Sequence, residues 1–169
     1  MSRTSLISLG GLAAVLAGIL RGIASFIPAT TPDAALQLLY ILTDIFILLG
    51  IFALYGVQYK ETGKLGFLGF LIAVVGILVI RSSKAITGVN LYPAGSLIFS
   101  LGLIILGIRL WLANILPIWV VGLLSLSVLV GIIVYFVPSL DLLFVVAGLI
   151  FAIGFAAAGI KLQSLAKDN

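Results

Sequence analysis

Long apolar runs broken by short polar ones recur along the whole chain. The runs cover roughly residues 5–27, 34–57, 65–81, 92–112, 116–137 and 140–163. Each is close to the ~20 residues that a helix needs to cross a hydrocarbon core of about 30 Å. None shows the alternation of polar and apolar positions over about ten residues that marks a membrane β-strand. The pattern predicts an all-α polytopic membrane protein with six transmembrane helices in a single domain spanning 1–169.

The breaks carry their own stop chemistry. PATTPD (28–33) holds two prolines, QYKETGK (58–64) is charged and contains a glycine, and RSSKAITGVNLYP (81–93) is the longest polar stretch. ANILP and VPSLD each end on or contain a proline that a helix interior rejects. Connections this short predict that sequence neighbours are antiparallel neighbours in space. The first run, with Arg3 before it and small residues after it, has some features of a cleaved leader. Its equivalence to later spans predicts that it is retained.

That equivalence is an internal repeat. LIFSLGLIILGIRL (97–110) and LIFAIGFAAAGIKL (149–162) agree at seven of fourteen positions, with Arg109 against Lys161. The second span joins weakly through LLGIFAL (48–54), and the odd spans share Gly-Ile-Leu or Gly-Ile-Ile at Gly18, Gly76 and Gly131. The expected arrangement is three tandem parallel helical hairpins, about 5–57, 65–112 and 116–163, which a pseudo-threefold axis along the membrane normal would relate. Many secondary transporters instead build their site between inverted repeats.

Hairpins ending in Gly-Ile-basic-Leu, GIRL (107–110) and GIKL (159–162), with glycine-punctuated spans such as FLGFLIAVVGILVI (67–80), resemble the HdeD-type acid-resistance membrane proteins of bacteria. The resemblance covers roughly residues 65–163. The first hairpin departs from it, with Phe52 in place of the basic residue and two charges within its spans. The resemblance implies a role in acid stress and a bacterial inner-membrane location, and it brings no catalytic residues to carry over.

Composition strengthens the membrane reading. The chain is 63% hydrophobic and 8% charged, with a mean hydropathy of +1.42, too little charge to clothe a soluble domain. The net charge of +4 comes from basic residues scattered singly at span ends, not from the clustered patch that nucleic acid requires. Lys and Arg counts place Arg3, Lys60, Lys64, Arg109, Lys161 and Lys167 on one side, and Arg81 and Lys84, with Asp33 and Asp141, on the other. The positive-inside rule then predicts cytoplasmic N and C termini. Arg109 and Lys161 read as side chains that snorkel from helix ends. The absence of Cys and His excludes thiol chemistry and imidazole bases and leaves soft metals without their usual ligands. No catalytic residue, metal site or cofactor is expected, and the chain reads as a non-enzyme.

Two charges fall inside the spans. Arg21 and Asp44 belong to neighbouring helices, and each alone is expensive in hydrocarbon, about 2.5–3.5 kcal/mol at a span centre on insertion scales. Mutual pairing is the expected remedy. Arg21 shares a helical face with Gly18, Gly22 and Ser25, and Asp44 a stripe with Gln37 and Tyr40. Ser96 and Ser100 lie at similar depth, so the candidate polar cluster is Arg21, Ser25, Gln37, Tyr40, Asp44, Ser96 and Ser100. By the glycine registers Arg21 matches Val79 and Val134, and Asp44 matches Leu101 and Ile153, so the fold does not demand charge at these places. One reading is an ion pair that fixes helix register. The other is an outward-facing polar pocket for a small solute, a lipid head group or a proton.

Small-residue stripes supply the helix packing: Gly11, Ala14, Gly18 and Gly22 in the first span, Gly66, Gly69, Ala73 and Gly76 in the third, and Gly148, Ala152 and Ala156 in the sixth. They predict one six-helix bundle in preference to a dedicated dimer face. The functions left standing are a non-enzymatic membrane protein, in envelope or acid-stress tolerance or as an accessory subunit, and a small transporter or channel using the Arg21/Asp44 pocket. Expected partners are membrane lipids, and another membrane protein or a second copy.

Overall fold

The computed structural model describes residues 3–27, 34–57, 59–137, 140 and 142–167, without the side chains of Arg3 and of 83–87. Six helices follow one another: α1 (Arg3–Ser25), α2 (Ala34–Val57), α3 (Tyr59–Thr87), α4 (Tyr92–Leu112), α5 (Ile118–Phe136) and α6 (Leu142–Lys167). All six are long and apolar enough to span a membrane, and no strand occurs among the described residues. The chain is an all-α integral membrane protein. Between 28% and 39% of each span is buried in the bundle. The remaining apolar surface, including Leu78, Leu101, Leu129 and Ile153, faces outward to lipid.

Consecutive helices pair as antiparallel hairpins, α1 with α2, α3 with α4 and α5 with α6, and α6 returns against α1. The seams between hairpins are unequal. The α1–α6 seam is extensive, whereas α2–α3 and α4–α5 touch lightly, so no exact threefold relation holds among them. Small residues explain the difference. A β-carbon on Gly11 would stand 2.8 Å from the Gly159 carbonyl oxygen, and one on Gly159 would stand 2.5 Å from that of Gly11. Further along, a β-carbon on Gly18 would meet the Ala152 carbonyl at 2.5 Å. Only hydrogen in place of a side chain permits so close a backbone approach. The α3–α4 seam repeats the device: a β-carbon on Gly69 would lie 2.6 Å from the Leu106 amide nitrogen, and one on Gly102 2.6 Å from the Gly69 carbonyl. The stripes expected from sequence thus serve packing within one bundle.

The interior is filled by Phe155, Ile51, Leu106, Leu110, Leu124 and Leu162, each at most 2% exposed. Its buried polar side chains among the described residues are Thr43, Thr62 and Ser127. Each donates its hydroxyl to a carbonyl of its own helix, at Leu39 (2.7 Å), Tyr59 (3.2 Å) and Leu124 (2.7 Å). Their donor hydrogens are thus spent within their own helices.

The third helix departs most from the sequence expectation of 65–81. Tyr59–Thr62 is already helical, and the break falls at Gly63, whose φ of 64° and ψ of −164° lie in a region open almost only to glycine. At the far end RSSKAIT stays helical although it is polar, because nothing in it opposes a helix. The stop comes at Gly88, with φ 68°, the left-handed residue that ends many helices. The five-residue break before α5 is tight: Asn114 turns at φ 57°, and Ile115 and Leu116 tuck into the core, 2% and 3% exposed, with the Ile115 amide donating to the Leu110 carbonyl at 2.9 Å. Asp33, Asp141, Pro28 and Pro138, and the Lys84 side chain, lie outside the described residues.

Candidate functional site

The charged site lies toward the end of the bundle opposite the chain termini, where α1 ends and α2 begins. Asp44 is ten residues into α2, roughly 15 Å of helix at 1.5 Å per residue. Its carboxylate Oδ2 accepts a hydrogen bond and ion pair from Nε of Arg81 on α3. The side chains are 21% and 33% exposed respectively. The guanidinium carbon of Arg81 also lies 6.0 Å from the centroid of the Tyr40 ring, at the outer limit of a cation–π contact.

This corrects the expected pairing. Asp44 is bound by Arg81, and among the described residues Arg21 makes no ion pair with it. Direction accounts for the choice. The small face of α1 that includes Gly18, Gly22 and Ser25 meets α6 and not α2: Gly22 sits opposite Ala152, and Ser25 fills the space left by Gly148. The contact between α1 and α2 is made instead by Gly10 opposite Ala53 and Ala14 opposite Gly50.

The rest of the predicted cluster is only partly assembled. Tyr40 joins it. Ser25 donates its hydroxyl to the Arg21 carbonyl at 2.8 Å and faces α6. Gln37 is exposed at the start of α2. Ser96 and Ser100 are half-buried on α4 and make no hydrogen bond to the pair among the described residues.

The ion pair occupies a telling seam. It joins the first hairpin to the second across α2 and α3, which otherwise meet lightly. At the terminal end of the same seam Phe52, Tyr55, Phe67 and Phe70 form an aromatic cluster, with Tyr55 stacked on Phe70 at 4.7 Å and Phe52 edge-on to it at 5.0 Å. Side chains at the two ends therefore do what glycines do in the α1–α6 and α3–α4 seams.

No protein-family model, curated protein or solved structure matches the chain. Its chemistry must be read from its own residues. Among the described residues no group of three or more acidic, His or Cys side chains converges as a metal site would require.

Sequence reasoning missed one polar contact. Arg109, expected to snorkel, donates from Nε to the Thr62 carbonyl at 2.9 Å. The break at Gly63 interrupts the helical hydrogen-bond ladder there, and the guanidinium of the next helix supplies a donor. The clue was available: a glycine within a charged break, and a lone arginine at the same end of the adjacent span. Elsewhere at the terminal end, Thr4, Ser5, Ser8, Leu9, Ala166 and Lys167 line a shallow recess of about 470 Å³, far along the bundle from Asp44.

Proposed function

We propose that this chain is a non-enzymatic membrane protein whose role is carried by the bundle itself, in envelope or acid-stress tolerance or as an accessory subunit of a membrane complex. The observation that supports this most is the apolar interior. From Ile51 and Leu54 through Leu106, Leu110 and Phe155 the bundle is packed with side chains at most 1% exposed. Among the described residues its three buried hydroxyls each donate to a carbonyl of their own helix. A conducting path needs polar groups that can replace hydration along its length, and the charged pair stands at one end with no such path below it. The HdeD resemblance of residues 65–163 adds the stress-tolerance half of the reading. The same resemblance suggests a bacterial inner membrane, and the basic-residue asymmetry favours cytoplasmic termini.

Reconstitution tests the reading. Proteoliposomes loaded with a pH-sensitive or ion-sensitive dye are expected to show the same leak with wild type, Asp44→Asn and empty vesicles. A proton or ion flux above empty vesicles that Asp44→Asn abolishes would replace this reading with the transporter alternative. Purification in a gentle detergent then separates the two versions of the role, a stoichiometric membrane partner marking an accessory subunit.

A further inference from the structure

We infer that the α3–α4 hairpin is a rigid lever, hinged at the terminal end of the bundle, and that Asp44–Arg81 is the latch holding its far end shut. The inference starts from how the hairpin is attached. Its connections to α2 and to α5 both lie at the end that carries the chain termini. At the opposite end α3 turns directly into α4 around Gly88. No chain connection ties that end to the other four helices.

Packing divides the molecule along the same line. Within the hairpin the two backbones touch along its length: through Gly69 and Gly102, and again nearer the far end. There a β-carbon on Gly95 would stand 2.8 Å from the Ile80 amide nitrogen. Backbones in such close contact have no slack to slide, so the hairpin moves as one body. Its seams with α2 and α5 are light, whereas α1, α2, α5 and α6 hold one another more extensively. Burial adds a gradient along the lever. The buried side chains of α3 run from Thr62 through Phe70 and Ala73 to Ile77, and those of α4 from Leu103 to Leu110. Beyond Ile77 and before Leu103 no side chain of the hairpin is buried among the described residues. At that same end the other helices keep Ala24, Leu36, Val134 and Ala147 buried. Phe99, level with Gly76, meets Phe151 of α6 with ring centroids 6.0 Å apart. Farther out, Asp44–Arg81 is the salt bridge that fastens the lever, among the described residues.

The geometry suits a latch. Positive-φ residues sit where a pivot turns, Gly63 in α3 and Asn114 between α4 and α5, and buried Ile115 and Leu116 anchor the second in the core. Arg81 is eighteen residues beyond Gly63, roughly 27 Å of helix, and Phe70 only seven, roughly 10 Å. A rotation of about 10° about the pivot therefore carries Arg81 roughly 5 Å and Phe70 under about 2 Å. The first displacement breaks a hydrogen-bonded ion pair, and the second leaves the Tyr55–Phe70 stack in contact. A bond at the far end thus resists rotation with the longest arm. Its release parts α3 from α2 on the lipid side. The inference goes beyond the proposed role and does not rest on it, since a stress protein, a subunit or a transporter could each use such a lever.

The test is pulsed electron–electron double resonance on the full chain in lipid nanodiscs. The chain has no cysteine, so introduced pairs take nitroxide labels uniquely. Three pairs of exposed positions are read: Leu38→Cys with Leu97→Cys across the latch end, Leu78→Cys with Leu97→Cys within the lever, and Leu112→Cys with Ile160→Cys at the pivot end. With the ion pair intact, each pair is expected to give one narrow distance. Asp44→Asn and Arg81→Gln should each add a population displaced by about 5 Å at Leu38–Leu97 alone. Asp44→Asn keeps the shape of the side chain and carries the measurement if Arg81→Gln does not yield monodisperse protein. A Leu38–Leu97 distance that the variants leave unmoved overturns the proposal. So does a second population at Leu78–Leu97, which marks fraying of the hairpin, or at Leu112–Ile160, which marks a general loosening.

Discussion

Replacing Asp44 with leucine should destabilise the bundle, and replacing Arg81 as well should restore it. In the single variant the Arg81 guanidinium keeps its charge and loses the acceptor of its Nε–H. Breaking a fully buried ion pair costs about 3–5 kcal/mol. Here Arg81 is one-third exposed and roughly 9 Å from its helix end, so its head group can relax toward the membrane surface. The expected loss is therefore about 1–2 kcal/mol, below the fully buried limit. Asp44→Leu with Arg81→Leu removes both charges from hydrocarbon and should return to within about 0.5 kcal/mol of wild type, as hydrophobic replacement of whole ion pairs often does. Asp44→Leu with Arg21→Leu should stay close to the single variant, because Arg21 is not the bonded partner. Reversible unfolding in mixed micelles of increasing dodecyl sulfate, followed by circular dichroism, measures all four proteins. If Arg21→Leu rescues Asp44→Leu and Arg81→Leu does not, the assignment of the pair is refuted. If neither rescues it, direct pairing is the wrong account of Asp44.

Two further substitutions test the seams and the helix break with the same unfolding assay. Gly102→Val would drive its side chain into the backbone of α3 at Gly69 and Ala73 and should cost about 1–3 kcal/mol or more as overpacking. Gly122→Ala meets nothing within 4 Å and should be neutral or stabilise by up to about 1 kcal/mol through helix propensity. Equal effects of the two would deny that close approach is what the α3–α4 glycines provide. Gly63→Ala meets no steric obstacle nearer than an Arg109 terminal nitrogen at 3.7 Å, yet should cost about 1–3 kcal/mol because its backbone conformation excludes a β-carbon. Arg109→Leu should weaken the same corner, and hydrogen exchange should rise selectively around residues 59–66.

The number of spans was legible because the bilayer sets it. Two spans, 34–57 and 92–112, coincide with α2 and α4 residue for residue. The third span reads short at both ends because hydropathy marks where the membrane ends, whereas the helix ends where backbone geometry fails. KETGK and RSSKAIT are polar enough to leave the bilayer and still helical, until Gly63 and Gly88 with their positive φ. Arg81 stands at the edge of that span, where a basic residue reads as a snorkelling end and not as the partner of Asp44. Lateral neighbours were the other unreadable quantity. Sequence shows that the Gly18 face of α1 wants a close partner, but complementarity to Ala152 and Ala156 on α6 emerges only once the chain has closed. Asp44 reads from sequence as a charge in need of a cation, and Arg81 of the second hairpin is the one that meets it.

The α1–α6 seam also sets an order of events. The first helix enters the bilayer with its glycine face ready and no glycine-bearing partner present, since Ala152, Ala156 and Gly159 are among the last of these residues to be synthesised. Until α6 inserts, Gly11 and Gly18 lack the helix they fit, while α1 can already pair with α2 through Ala14 and Gly50, and α3 with α4 through Gly69 and Gly102. The clasp between the first and last helices therefore forms last. A nascent chain halted before α6 would be inserted, hydrophobic and correctly threaded, yet still hold an open slot for any small-faced helix that passes.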